Sequence, residues 1–394
     1  MKKRILTLAL SVCLCLAAAF PVKAEMSVKA AAPVYPGEPN ALSCILMDAK
    51  TGAVLYEYNA DAALPPASVT KVMTMLLIFE AIDSGTLNVT DVIRISETAA
   101  AMGGSQIYLA AGEEMTVNDL LKGLIVASAN DAAVALAETV CGSEEAFVAR
   151  MNERAAELGM KNTHFENTNG LDDTTENHLT SARDIAIMSR ELMRHEKVFE
   201  YTTIWMDTIR NGTFGLSNTN RLIRFYKGAT GLKTGSTSKA KFCISATAEK
   251  DGLSLIAVVM GSPTRDTRNA LAASLLDFGF ANYGCYRSPA QSMPEIRVTG
   301  GVGNTLASVK EEFSATLEKT KISNVEMRVD MPEKLAAPIA KGEKIGTVTY
   351  LSDGKEIGTA DILAEHGVEK ITFFSLFPKL FAWFLMGESM NEKG

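Results

Sequence analysis

Histidine is scarce in this chain, with four in 394 residues, and cysteine numbers only six. Such a composition gives no ground for a catalytic scheme built on several imidazoles. Cys13 and Cys15 fall in an N-terminal apolar run, and Cys44, Cys141, Cys243 and Cys285 are scattered in apolar surroundings with no C-x-x-C. That spacing indicates neither a zinc site nor a disulfide framework, so buried free thiols are expected, and no metal or cofactor. Basic runs are absent beyond Lys2-Lys3-Arg4, and the formal charge is −7. A net acidic chain of this kind is a poor nucleic-acid binder. Near the C-terminus the apolar run Ile371–Met386 falls short of the roughly 20 residues that span a bilayer.

What the chain does contain divides into segments. Lys2-Lys3-Arg4, the apolar run Ile5–Phe20 and Val22-Lys23-Ala24 form the three parts of a secretory signal peptide, with cleavage expected after Ala24. A retained membrane anchor is the alternative. Loss of Lys2, Lys3, Arg4 and Lys23 with the leader takes the charge from −7 to −11. Residues 25–38 carry Ala and Pro and read as a linker. Residues 39–284 alternate helical and strand patterns, which predicts an α/β (α+β) layer with an antiparallel sheet flanked by helices. A first hairpin joins Leu42–Met47 to Ala53–Tyr58. Helices follow over Val117–Ala127, Asp131–Cys141, Glu144–Leu158 and Ala182–Arg194. Lys241–Ala248 and Leu253–Met260 read as paired strands. Residues 285–370 show short alternating runs, at Ile296/Val298, Val325/Met327/Val329 and Ile345/Val348/Tyr350, and predict a small all-β domain. In the tail, 371–394, Phe373, Phe377, Leu380, Phe381 and Phe384 share one helical face. That face suits a helix lying on a membrane surface, with docking on the protein's own core as the alternative. Pro378 would start or kink such a helix.

Three triplets carry the chemistry: Ser68-Val69-Thr70-Lys71, Ser128-Ala129-Asn130 and Lys233-Thr234-Gly235. Each is weak alone, since S-x-x-K recurs at Ser236–Lys239, S-x-N at Ser389–Asn391 and K-T-G at Lys50–Gly52. Context separates the copies. Ser68 precedes the apolar run Val72–Phe79, a buried helix by its length, which places Lys71 one turn on and on the same face. A serine attacking a carbonyl must lose its proton. Lys71 can take it only if neutral, so its pKa must fall from ~10.4 to near 7, roughly 4 kcal/mol of environment. Burial and a second cation, Lys233, both push that way. Ser128 would bridge Lys71 and the leaving amine. Asn130 would hold a substrate amide, and Lys233 with Thr234 a terminal carboxylate. Gly235 would let substrate approach the strand edge, and the N–H groups of Ser68 and Ser236 would form an oxyanion pair.

With these motifs on the page, the chain resembles the low-molecular-mass penicillin-binding proteins, the serine D-alanyl-D-alanine carboxypeptidases of peptidase family S11. The likeness extends to Gly103-Gly104-Ser105-Gln106, Asn169-Gly170-Leu171, His178–Asp184 and Gly231–Thr237. It implies a β-lactamase/transpeptidase-like fold and a peptidoglycan stem peptide ending in D-Ala-D-Ala as substrate. It also implies acylation by β-lactam antibiotics and an extracytoplasmic, membrane-associated location. Arg268 would then help bind the substrate carboxylate; the sequence alone leaves it a surface arginine. Ser236 stands where some members carry His. Two other readings compete, a class A-like β-lactamase and a non-catalytic wall-binding scaffold. The first needs a Glu-x-x-Leu-Asn pattern, which Phe165-Glu166-Asn167-Thr168-Asn169 does not match.

Overall fold

The computed structural model describes residues 33–377 and 381. The leader, most of the linker, Pro378, Leu380, Phe384 and the S-x-N copy at Ser389–Asn391 lie outside the described residues. Five antiparallel strands form the central sheet, in the order Val54–Tyr58, Ser43–Asp48, Leu253–Ser262, Lys241–Lys250, Ala229–Thr237. Register explains why its inner strands read as continuous apolar runs. Cys44 and Leu46 pair with Val259 and Ala257, while Ile45 and Met47 pair with Val258 and Ile256. The first set packs with Leu271, Leu275 and Leu276 of the helix Arg265–Asn282. The second packs with the helical layer on the opposite face. Both faces are therefore core, as in a three-layer stack.

At the centre of that helical layer is Lys71–Asp83, with eleven of its thirteen residues buried. A helix apolar all round belongs inside, and this one has helices Asn130–Cys141 and Ala182–Leu192 against it. Caps fix several starts: Thr116, Ser143 and Ser181 each accept a backbone N–H three residues on. The helix expected to reach Arg194 ends at Leu192. The hairpin copy of K-T-G sits on the turn between the first two strands.

Helix Arg265–Asn282 runs straight into strand Tyr283–Ser288, which pairs with Phe313–Glu318. Beyond it lies a six-stranded sheet in the order Val325–Asp330, Lys344–Ser352, Lys355–Ala364, Thr305–Lys310, Gln291–Thr299, Lys334–Ala336. Its core gathers Leu306, Val348, Tyr350 and Ile362. Phe313 stacks on Tyr350 at 4.1 Å, and buried Lys310 donates to Ser288 Oγ and Pro289 O. The alternation at Val325/Met327/Val329 marks a strand but not a core: Met327 and Val329 are exposed. That strand lies at the sheet edge with one neighbour, and a pattern of apolar residues does not say whether anything covers them.

Leu275 is fully enclosed between helix and sheet. Leu275→Ala should cost about 2–5 kcal/mol. Urea unfolding should show a lower midpoint at an unchanged m-value; an unmoved midpoint would mean this layer is not core.

Candidate active site

The serine expected at a helix start sits one step earlier. Ala67–Thr70 form a 3₁₀ turn, and the α-helix begins at Lys71. Ala67 takes φ +49, and Gly170 is wedged beneath it with φ +86; a Cβ on Gly170 would lie 1.9 Å from Ala67 O. Only glycine tolerates both the angle and the approach. His178 braces the same turn. Its Nδ1 accepts from Glu166 N at 2.9 Å, so its Nε2 carries the hydrogen and donates to Thr70 Oγ1 at 2.7 Å. Thr70 Oγ1 in turn donates to Ala67 O. Burial pulls the His178 pKa down to about 4, which keeps this neutral tautomer in place.

Lys71 is fully buried, with Nζ 3.0 Å from Ser68 Oγ, 2.5 Å from Asn130 Oδ1 and 3.0 Å from Asn169 O. Two of these partners are carbonyl oxygens. A neutral amine has two hydrogens, which they absorb, leaving its lone pair for the serine hydroxyl. Burial first, and then the charge of Lys233, hold the Lys71 pKa well below the usual lysine range; Asp131 opposes them. Asp131 is itself occupied with the N–H groups of Ile107, Leu109 and Ala132.

Ser68, Ser128, Thr234, Gly235, Ser236 and Arg268 line one cleft of about 520 Å³. Lys71, Asn130 and Lys233 are buried behind its wall. Asn130 is turned inward: Oδ1 accepts from Lys71, and Nδ2 donates to Gly103 O at 2.7 Å, docking the Gly103–Ser105 stretch. It therefore positions the lysine, and the second hydrogen of its amide is not used by either bond. Ser128, with φ +64, lines the same cleft as Ser68, and its hydroxyl is not among the hydrogen-bond partners of Lys71. Lys233 donates to Thr234 O at 2.9 Å, and burial, then Arg268, bring its pKa down to about 7. Its charge reaches the cleft as a field through the wall.

Gly235 is needed on the inner side of its strand. A Cβ there would sit 2.7 Å from Ser68 N and 2.9 Å from Pro66 O. Strand and nucleophile turn meet in the space of its missing side chain. Arg268 is buried yet reaches the cleft, held by Cys243 O and Asn269 Oδ1, and burial lowers its pKa to about 10. Three further participants were not singled out for a role in the sequence. Asn169 acts through its carbonyl, which carries no side-chain signature. Thr219 accepts from Thr234 Oγ1 at 2.9 Å, and Trp205 lines the cleft. Among the described residues no cluster of three or more His, Cys, Asp or Glu could hold a metal ion.

An enclosed serine–lysine pair beside a cationic edge strand defines a class of acyl-transfer site. Residues 27–264 match the family of D-alanyl-D-alanine carboxypeptidases, peptidase S11, and residues 291–370 match the C-terminal domain of penicillin-binding protein 5. The chain is 42% identical to the D-alanyl-D-alanine carboxypeptidase DacF of Bacillus subtilis over 86% of this chain and 88% of that one. It is 35% identical to DacA of Haemophilus influenzae, over 90% and 91%. Penicillin-binding protein 5 from Haemophilus influenzae has a similar structure, with a TM-score of 0.74 and 34% identity over 86% of this chain and all of that one. Penicillin-binding protein D2 from Listeria monocytogenes, in its ampicillin-bound form, gives 0.56 and 31% over 61% and 98%. The chain belongs to the S11 family of D-alanyl-D-alanine carboxypeptidases, and its catalytic fold is of the penicillin-binding-protein type.

The electrostatics are testable without turnover. Nitrogen NMR of labelled lysine side chains should show Lys71 losing its proton below the ordinary lysine range. Lys233→Met removes a like charge that disfavours the protonated form, so the Lys71 titration should move to higher pH. An unmoved titration would show that Lys233 does not set it.

Proposed function

We propose that this protein is a serine D-alanyl-D-alanine carboxypeptidase that trims the terminal D-alanine from peptidoglycan stem pentapeptides, which limits cross-linking. The observation that carries the reading is Lys71 Nζ, its hydrogens turned to two carbonyls and its free side on Ser68 Oγ. Lys71 takes the Ser68 proton as Oγ bonds to the carbonyl carbon of the penultimate D-alanine. The N–H groups of Ser68 and Ser236 face the developing oxyanion. The C–N bond then breaks as the proton taken by Lys71 reaches the leaving amine; the Ser128 hydroxyl, which lines the cleft, would relay it once bound substrate brings hydroxyl and amine within reach. Water, deprotonated in the same way, cleaves the ester and frees Ser68. Thr234, Ser236 and Arg268 receive the terminal carboxylate, with Lys233 charged behind them; an arriving anion favours its protonated form. Penicillins would acylate Ser68 by the same attack, as the ampicillin-bound relative suggests.

A β-lactamase reading has less support. Among the described residues no carboxylate lines the cleft, and Glu166 is occupied with the N–H groups of Glu176 and Asn177. Nothing there is placed to activate a deacylating water independently of Lys71.

We also propose export after cleavage at Ala24, with the catalytic domain over 39–284, the β-rich domain over 285–370 and the tail as anchor. Phe373, Phe374, Phe377 and Phe381 are exposed, with Phe377 and Phe381 stacked at 6.1 Å. Among the described residues no helix is long and apolar enough to cross a membrane. The five apolar residues that the sequence places on one face, Phe373, Phe377, Leu380, Phe381 and Phe384, at about 2 kcal/mol each would bring on the order of 10 kcal/mol of transfer energy, reduced by partial burial and ordering.

Incubation with a D-Ala-D-Ala peptide should release D-alanine, and Ser68→Ala should lose both that release and covalent labelling by a fluorescent penicillin. Antibiotic turnover without D-alanine release would favour the β-lactamase, and binding alone the scaffold. Truncation before Ile371 should leave a folded, active enzyme that no longer sediments with membranes. Retention in the membrane fraction, or unfolding, would make the tail core structure instead.

A further inference from the structure

The strand Val325–Asp330 ends the six-stranded sheet, and all of its residues pair with Lys344–Ser352 in one unbroken register, from Val325 opposite Ser352 to Asp330 opposite Thr347. Among the described residues no strand pairs with its other side. Alternate backbone N–H and C=O groups of an edge strand point away from its neighbour and offer a template to another strand. Proline, a bulge or extreme shortness commonly blunts such an edge. Val325–Asp330 has none of these. The other sheet edges are less suited to pairing. Lys334–Ala336, at the far end of the same sheet, has only three residues. On Val54–Tyr58 the carboxylate of Glu57 is already bound by Arg183, and Ala229–Thr237 borders the active-site cleft.

The two faces of this strand differ. Met327 and Val329 stand opposite Tyr350 and Val348, on the face that those two carry into the domain core. Yet Met327 is 55% exposed and Val329 48%. The core face of the sheet therefore runs out into solvent at this edge. Glu326 and Arg328 lie on the opposite face, both exposed, and their neighbours across the ladder are Leu351 and Thr349. Neither meets an opposite charge there.

We propose that the Val325–Asp330 edge pairs antiparallel with the same strand of a second copy of this chain, about a two-fold axis at Met327. The strand is complementary to its own reverse. With Met327 opposite Met327, Glu326 stands opposite Arg328 on both sides of the axis, and Val325 stands opposite Val329. The exposed apolar residues of the two copies then form one continuous stripe. Sliding by two residues keeps the faces matched but spoils the charges. One such slide sets Glu326 against Glu326; the other sets Arg328 against Arg328 and Glu326 against Asp330. A slide by one residue sets apolar side chains against charged ones. The pattern thus selects one register, and it selects a second copy as the occupant. A two-fold contact consumes both edges, so assembly stops at the dimer. A strand of this length spans about 20 Å, a small contact, so association in solution is weak. No residue of the strand lines the active-site cleft, and the pairing is independent of the chemistry there.

Sedimentation equilibrium of the full chain in density-matched detergent micelles, over a concentration series, should show monomer passing to dimer and no further. Arg328→Glu sets acid against acid at both pairs, and Glu326→Arg sets base against base. Each should weaken the dimer about tenfold or more, since two favourable cross-strand pairs become two repulsive ones. An equal mixture of the two variants should recover the dimer, because each acid then faces a base. A chain carrying both substitutions should associate like the parent for the same reason. Both side chains are exposed, so the thermal midpoint of the monomer should stay unchanged. A parent chain that remains monomeric throughout would overturn the proposal and leave the edge to a strand of another protein. A dimer indifferent to the single reversals would also overturn it, assigning association to the tail or to another face. So would growth beyond the dimer, or single variants whose mixture does not recover.

Discussion

Burying a lysine without a carboxylate to pair it is costly while it stays charged, and the site depends on that cost. Lys71, Lys233 and Arg268 are all removed from water, and the groups that touch them are carbonyl oxygens, a hydroxyl and side-chain amides. Neutral acceptors satisfy hydrogens without cancelling charge, so each cation's field adds to the others. Arg268 stays protonated because its ordinary pKa is so high. Lys233 is brought to about 7, and Lys71, nearest the serine and fully enclosed, is held well below the lysine range. All three are shifted in the same sense, and the lysine held well below its usual range is the one beside the serine. A base is made from a lysine by withholding a partner.

Such an arrangement works only if the lysine and serine cannot drift apart, and the backbone around them is correspondingly tight. Ala67 and Ser128 adopt left-handed angles without being glycine, and each such residue costs about 1–2 kcal/mol. Close contacts hold these angles in place. Gly170 lies against Ala67 O, Gly235 against Ser68 N, and Gly104 against Asn130 Nδ2. At each contact a single methyl group would have to push backbone or a polar partner aside. The buried helix Lys71–Asp83 and the two-faced sheet behind it supply the packing that resists relaxation.

Most of the elements could be read from the sequence because their patterns are local. The Val72–Phe79 run, the capped helices and the paired strands at 241–262 depend on neighbours within a few positions. The three motifs were legible for the same reason, as short strings in a fixed order. Roles that depend on long-range contacts were not. That Asn130 holds Lys71 through Oδ1 and Gly103 O through Nδ2 is visible only in the folded chain. That the missing side chain of Gly235 also makes room for the Ser68 turn depends on a contact distant in sequence. Asn169 contributes a carbonyl, which every residue has. Val325–Asp330 was a recognisable strand, but its edge position, and so its exposure, belongs to the sheet.

The lack of acidic side chains in the cleft wall, among the described residues, connects properties that otherwise look separate. A carboxylate near Lys71 would stabilise its charged form, as Asp131 already does weakly from behind the helix start, and would weaken the base. The same group would repel a substrate that arrives carboxylate first. It would also offer water a second base, and with it a route for deacylation that does not use Lys71. Excluding acids from this wall therefore keeps the lysine reactive and keeps the cleft attractive to anionic peptides. On the proposed mechanism it also leaves both halves of the reaction to one amine. An enzyme built this way is vulnerable to any acyl donor whose remaining bulk keeps water away from Lys71 after Ser68 has been acylated. On the proposed mechanism, susceptibility to such an inhibitor and the ability to bind an anionic peptide would follow from the same charge distribution.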